Sequence, residues 1–254
     1  MERILKQTVY LFIFLGILGF FIFYFFIFEK EEMVVNTPIL ILPSQIEAQF
    51  AKAVAIKDFD YDIVARIRNP NTNLGSPNIN YEFKLFDKND LNFRSIYGNA
   101  YILPGQTRYL LETPVKSDRE ISKVDLTILN VEWKEIKNIF QENISLTVSN
   151  REFILNDPSG ASVAINGILL NNSDFDLDQV EIIGFLYNER DETIGLGKTN
   201  MRTLSAHGSR AFEIKWFDPI REKVVKIDTE AYTNLFENSN FIRKFGTQEK
   251  FQEF

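Results

Sequence analysis

The chain has 254 residues, 45% apolar and 25% charged, with a formal charge of −7. That balance suits a folded protein of about two domains and argues against a disordered chain or a nucleic-acid binder. Zero Cys and a single His exclude disulfide frameworks, Cys-ligated metal centres and thiol nucleophiles, and leave little for histidine-based catalysis.

The first predicted element is a helix. From Thr8 to Phe28 no residue is charged. Such a run, at about 1.5 Å per residue, matches the hydrocarbon thickness of a bilayer. It has no polar face, as a core helix would. No small-residue cleavage site follows it; Phe28-Glu29-Lys30-Glu31 stands there instead. The expectation is a single-pass, uncleaved signal anchor at 8–28. Arg3 and Lys6 precede the run, whereas Glu29, Lys30, Glu31 and Glu32 follow it. Residues 1–7 are therefore expected in the cytoplasm and residues 29–254 outside the cytoplasmic (inner) membrane. With Glu2, Arg3 and Lys6 summing to +1, the exported part carries −8 and is expected to stand off anionic lipid.

After a spacer at 29–43, apolar residues alternate with polar ones in short segments. Ile63, Ala65 and Ile67 open the series, followed by Ile79, Tyr81, Phe83 and Leu85, then Val124, Leu126 and Ile128. Later come Ile144, Leu146 and Val148, then Val163 to Leu169, Val180 to Leu186, and Phe212, Ile214 and Trp216. A period of two predicts strands that bury one face. No helical period is sustained after residue 33, although Lys134–Asn143 fits a short helix or linker.

The two halves match at an offset of 101–102 residues. Asn69-Pro70-Asn71 falls against Asn171-Asn172-Ser173, and Phe83-Lys84-Leu85-Phe86-Asp87 against Gly184-Phe185-Leu186-Tyr187-Asn188. Leu103-Pro104-Gly105 falls against Leu204-Ser205-Ala206, Arg108 against Arg210, and Val124 and Leu126 against Val225 and Ile227. Repeats of about 100 residues with regular turn signals predict a mainly β chain with two tandem β-sandwiches, at 44–138 and 139–240, and a tail at 241–254.

An apolar strand ending in Asn-Pro-Asn, a Phe-x-Leu-aromatic-Asp strand end and a Leu-Pro-Gly turn resemble the FxLYD domain of prokaryotic envelope proteins. They are also similar to the late-embryogenesis-abundant type 2, or water-stress-and-hypersensitive-response, domain. The motif residues are Asn69, Pro70, Asn71, Phe83, Leu85, Phe86 and Asp87, with Asn171, Leu186, Tyr187 and Asn188 in the second repeat. Gly184 and Asn188 depart from the pattern there. The resemblance implies immunoglobulin-like or fibronectin-III-like sandwiches and no catalytic set. Read without it, the same residues shape turns and pack strands.

Candidate chemistry is sparse. Gly195-Leu196-Gly197-Lys198-Thr199 resembles the end of a phosphate loop, but Glu192 stands where a further Gly is needed. Asp58, Asp60 and Asp62, and again Asp174, Asp176 and Asp178, place three carboxylates at alternate positions. They are candidates for Ca²⁺, or else strand edges with their acids in water. His207 sits in a turn beside Ser205 and Ser209 with no acid partner legible in the sequence. Trp133 and Trp216 are expected in the core. The expected function is a membrane-anchored, non-catalytic binding or scaffold protein of the cell envelope, with a protein partner and no cofactor, nucleic acid or small-molecule substrate. A structural subunit of a secretion, pilus or transport machine is the second reading, and a cell-wall hydrolase the third.

Overall fold

The computed structural model describes residues 2–28, 42–136, 144–245 and 251–253. The chain divides into two compact units, Met1–Leu42 and Pro43–Phe254. The first holds α1, Glu2–Phe28. Its large apolar side chains from Val9 to Tyr24 are exposed, with Phe20 and Tyr24 stacked at 6.3 Å one turn apart. A helix thus stands where the sequence predicts one. Among the described residues, however, no helix is long and apolar enough to cross a membrane. Within the uncharged run, side chains are described from Thr8 to Tyr24.

The second unit is mainly β. Its first half contains β1 (Glu47–Lys57), β2 (Asp60–Arg68), β3 (Leu74–Phe86), β4 (Asn92–Ile102), β5 (Thr107–Lys116) and β6 (Lys123–Ile136). The second half contains β7 (Leu146–Leu155), β8 (Val163–Asn171), β9 (Leu177–Tyr187), β10 (Thr193–Leu204), β11 (Ser209–Trp216) and β12 (Lys226–Tyr232). The sheets run β1-β2-β5 and β6-β3-β4 in the first half, and β7-β8-β11 and β12-β9-β10 in the second. Each half is therefore a two-sheet sandwich with the same strand order. Among the described residues all of the strand pairs are antiparallel.

Each half buries its own core. Ile63, Ala65 and Ile67 of β2 face Ile79, Tyr81, Phe83 and Leu85 of β3 in the first. Val163, Ile165 and Leu169 of β8 face Val180, Ile182 and Leu186 of β9 in the second. A third apolar layer joins the halves: Val54, Val64 and Leu111 meet Ile183, Phe185, Leu196 and Tyr232. These residues lie on the outer faces of β1-β2-β5 and β10-β9-β12. The four sheets consequently stack as layers, and β2 and β9 are buried on both faces. The sequence expectation of sandwiches with one buried face per strand is corrected for these inner sheets. Separating the halves would expose side chains worth about 1.5–3 kcal/mol each, which explains why the two repeats form one compact unit.

The repeat register is also refined. Lys123 pairs with Phe86 and Lys226 with Tyr187, an offset of 103, so Val124 corresponds to Ile227 rather than Val225. A two-residue shift keeps side chains on the same face, so the pattern alone does not expose it. The turn after β4 matches at 102. Gln106 N donates to Leu103 O as Gly208 N does to Ser205 O. Gly105 (φ 65°) and His207 (φ 54°) take its left-handed position.

Two elements beyond β12 depart from the expected plain tail. The short helix α2 spans Ser239–Phe245, and Asn238 Oδ1 accepts from Phe241 N at 2.7 Å as its N-cap. Phe241 packs on Phe175, ring to ring at 5.1 Å. Strand β13, Phe251–Glu253, pairs with the end of β6 from Lys134 to Ile136. The rest of the predicted linker, 137–143, and most of the spacer, 29–41, lie outside the described residues.

Candidate functional site at the joint of the halves

The motif residues from the sequence build turns. Asn69 and Asn171 are fully buried. Asn69 Nδ2 donates to Leu74 O (2.6 Å) and Leu103 O (3.0 Å), while its Oδ1 accepts from Asn71 N at 3.0 Å. Asn71 reaches out to Ser44 O at 2.8 Å, and Pro70 between them is half-buried. Phe83, Leu85 and Leu186 are core. Phe86 and Tyr187 are half-buried under the ammonium groups of Lys123 and Lys226, 4.7 and 4.9 Å from the ring centres. Asp87 Oδ1 accepts from Asn89 N (2.8 Å) and Leu91 N (3.2 Å). Asn188 Oδ1 accepts from Arg190 N and Glu192 N, both at 2.9 Å. One acceptor oxygen is all this turn needs, so Asn replaces Asp without loss.

The six candidate calcium carboxylates do not converge. Asp58 is exposed, 3.3 Å from Arg221. Asp60 lies 3.7 Å from Lys57. Asp62 is 1% exposed, accepting from Thr113 Oγ1 and, across the joint, from Leu196 N at 3.3 Å. Asp174 lies 3.0 Å from His207 Nε2, supplying the acid partner that the sequence did not reveal. Asp176 accepts from Ala206 N at 2.8 Å, and Asp178 from Ser239 N and Oγ at 2.7 Å and Asn240 Nδ2 at 2.8 Å. Among the described residues no group of three acids or histidines could hold a metal ion. The reading of Asp62 as a solvated edge residue is likewise corrected. Burial pushes its carboxyl up to about 6.

The glycines of Gly195-Leu196-Gly197 lie within β10, with no helix after them. A methyl group on Gly197 would come within 2.8 Å of Ile214 and Trp216. Trp216 Nε1 donates to Leu196 O at 2.9 Å, so this segment packs the second core rather than cradling phosphate.

A cavity of about 600 Å³ forms an open groove beside the joint. The sequence did not indicate it, because its walls come from both halves. Two runs of five consecutive residues line it: Tyr97–Tyr101 of β4 and Arg108–Glu112 of β5. Successive strand residues point to opposite faces, so five in a row can line one cavity only where the strand turns its edge to it. Both strands are indeed sheet edges. Gly98 makes room for the Tyr81 ring, which a methyl group there would meet at 2.4 Å.

Arg108, Glu181 and Glu112 of the groove are held by fixed contacts. Arg108 lies under the ring of Tyr101, 4.1 Å away, and 5.1 Å from that of Tyr232. It donates to Tyr101 O at 2.9 Å and Glu181 Oε2 at 3.1 Å, leaving its buried Nε without a partner. Tyr81 Oη donates to Glu112 Oε1 at 2.8 Å. Burial, above all, raises the Tyr81 and Tyr232 phenols and pushes Tyr101 up to about 12. These phenols stay protonated at neutral pH; Tyr81 Oη donates to Glu112, whereas Tyr232 Oη accepts from Tyr109 N.

No family model matches the sequence, and no curated protein matches it. Among solved structures it is similar to a red sea bream transglutaminase at 9% identity and a TM-score of 0.24, over 75% of this chain and 29% of that one. The chain thus spans under a third of that enzyme's length, and nothing about activity follows from a likeness at that score.

Proposed function

We propose that this is a membrane-anchored, extracytoplasmic, non-catalytic binding or scaffold protein of the cell envelope. In this reading it is made of two immunoglobulin-like sandwiches of the FxLYD or late-embryogenesis-abundant type 2 kind. The observation that carries the binding role is the groove at the joint, where Arg108 is held by Glu181 and Glu112 by the Tyr81 phenol. Such a surface suits recognition. The anchor is supported by the uncharged run from Thr8 to Phe28 and by the positive residues before it and acidic ones after it.

The test uses the full chain expressed in bacterial membranes. Protease added to spheroplasts is expected to digest residues 29–254, and crosslinking from Tyr97 or Lys198 to capture an envelope protein. Protection of the β part with cleavage near residues 1–7 overturns the topology. Turnover of a wall polymer that disappears with Glu112→Gln overturns the non-catalytic reading.

A further inference from the structure

We infer that the groove is a strand-addition site: the edge of β4 at Tyr97–Tyr101 accepts an extended, cationic peptide segment of a partner protein. The inference deepens the binding reading by naming the chemistry of the partner.

Among the described residues, strand β4 pairs with β3 alone, and from Tyr97 to Ala100 that pairing runs without a register shift. In an antiparallel pair, alternate residues turn their N–H and C=O groups away from the neighbour. Tyr101 O is taken by the Arg108 side chain, so Tyr101 is one of those turned outward. By the two-residue alternation Asn99 and Tyr97 turn the same way. Among the described residues, no loop, side chain or further strand takes the backbone groups of Tyr97 or Asn99. The opposite wall differs: Tyr109 N of β5 donates to Tyr232 Oη at 3.3 Å. One edge of the groove is thus capped by a side chain, and the other is left open.

An open edge offers repeated donors and acceptors to an extended chain, and such chains bind in this way with side chains alternating into and out of the groove. The lining run from residue 97 to 101 is about 13 Å long, enough for four or five residues of a strand. The exposed ring of Tyr97 provides an apolar landing for one side chain. Charge selects the partner. Glu112, Glu181, Glu237 and Asp178 line the groove against Arg108 and Lys198, and Arg108 is already paired with Glu181. The surplus is negative, complementary to Lys or Arg in the incoming strand.

The probe is an eight-residue blocked peptide alternating Val and Lys, titrated into the full chain in detergent micelles and followed by the backbone amide signals of Tyr97 and Asn99. Saturable binding is expected. N-methylation of every second residue, which removes edge hydrogen bonds and keeps the side chains, is expected to weaken it roughly tenfold or more. Asn99→Pro removes one outward N–H at an edge position where Pro is tolerated, and is expected to weaken binding similarly while leaving the thermal midpoint in place. Equal affinity for the methylated peptide, no binding, or a preference for the neutral oligosaccharide cellotetraose each overturns the proposal. None of these outcomes depends on which side of a membrane the β part occupies, so they are distinct from failure of the anchor topology.

Discussion

Asn69 and Asn171 do the same work 102 residues apart. Asn69 directly follows β2 and Asn171 ends β8; each amide nitrogen donates to two or more backbone carbonyls, and each oxygen accepts the N–H two residues on. For Asn171 the acceptors are Phe175 O, Leu204 O and Ser205 O at 2.9, 3.2 and 3.0 Å. One side chain thereby ties three chain segments together inside the protein, where water cannot substitute. Replacing it leaves several buried groups unpaired, at about 1–3 kcal/mol per group. Asn171→Ala and Asn69→Ala are each expected to cost about 2–4 kcal/mol in urea unfolding. A loss below 1 kcal/mol would mean that these asparagines only decorate the turns.

Asp62 gives the joint a pH dependence. Its folded carboxyl titrates at about 6, against an ordinary value of 3.8, because burial disfavours its charge more than Thr113 and Leu196 favour it. The folded state holds the proton more tightly than the unfolded state. The contribution of Asp62 is therefore most favourable below about pH 4, falls through the window from 4 to 6, and is flat above it. The span is of order 3 kcal/mol. Asp62→Asn keeps an acceptor for Leu196 N without the charge. Relative to the parent protein it is expected to gain stability as pH rises from 4 to 6.5, measured by urea midpoints at each pH. A constant difference across that range would show that the carboxylate is not desolvated by the joint.

The apolar layer between the halves should make unfolding common to both. The chain has two tryptophans, Trp133 in the first half and Trp216 in the second. Trp133→Phe and Trp216→Phe variants isolate one reporter each. Their urea transitions are expected to coincide. Phe185→Ala, which removes the ring 4.7 Å from that of Tyr109, is expected to cost about 3–5 kcal/mol and to separate the two reporters. Separate transitions in the parent protein would mean that the layer contributes little.

Core and surface carboxyl positions should part sharply. Leu85 is fully buried, and Leu85→Asp is expected to abolish folding of the first half by burying an unpaired charge. Asp60→Asn is expected to shift stability by less than about 0.5 kcal/mol, since its nearest cation is 3.7 Å away and half-exposed. Chelator is expected to leave the thermal midpoint unchanged. A drop on adding chelator, restored by Ca²⁺, would point to a metal site that the dispersed acids do not suggest.

The sequence marked β2, β3, β6, β7, β8, β9 and β11, the duplication and the turn residues. Period-two alternation, Asn at strand ends and Pro-Gly in a turn act over a few residues, and local sterics and hydrogen bonding enforce them. It missed α2, which is only seven residues long and is marked chiefly by Asn238 as its cap. That Val64, Leu111, Ile183 and Phe185 cover one another in a middle layer was settled by the fold alone. The same packing buries Asp62 and leaves the β4 edge open in a groove. Burial of an outward face and the fate of a strand edge depend on which distant surface arrives there, and no local pattern encodes that.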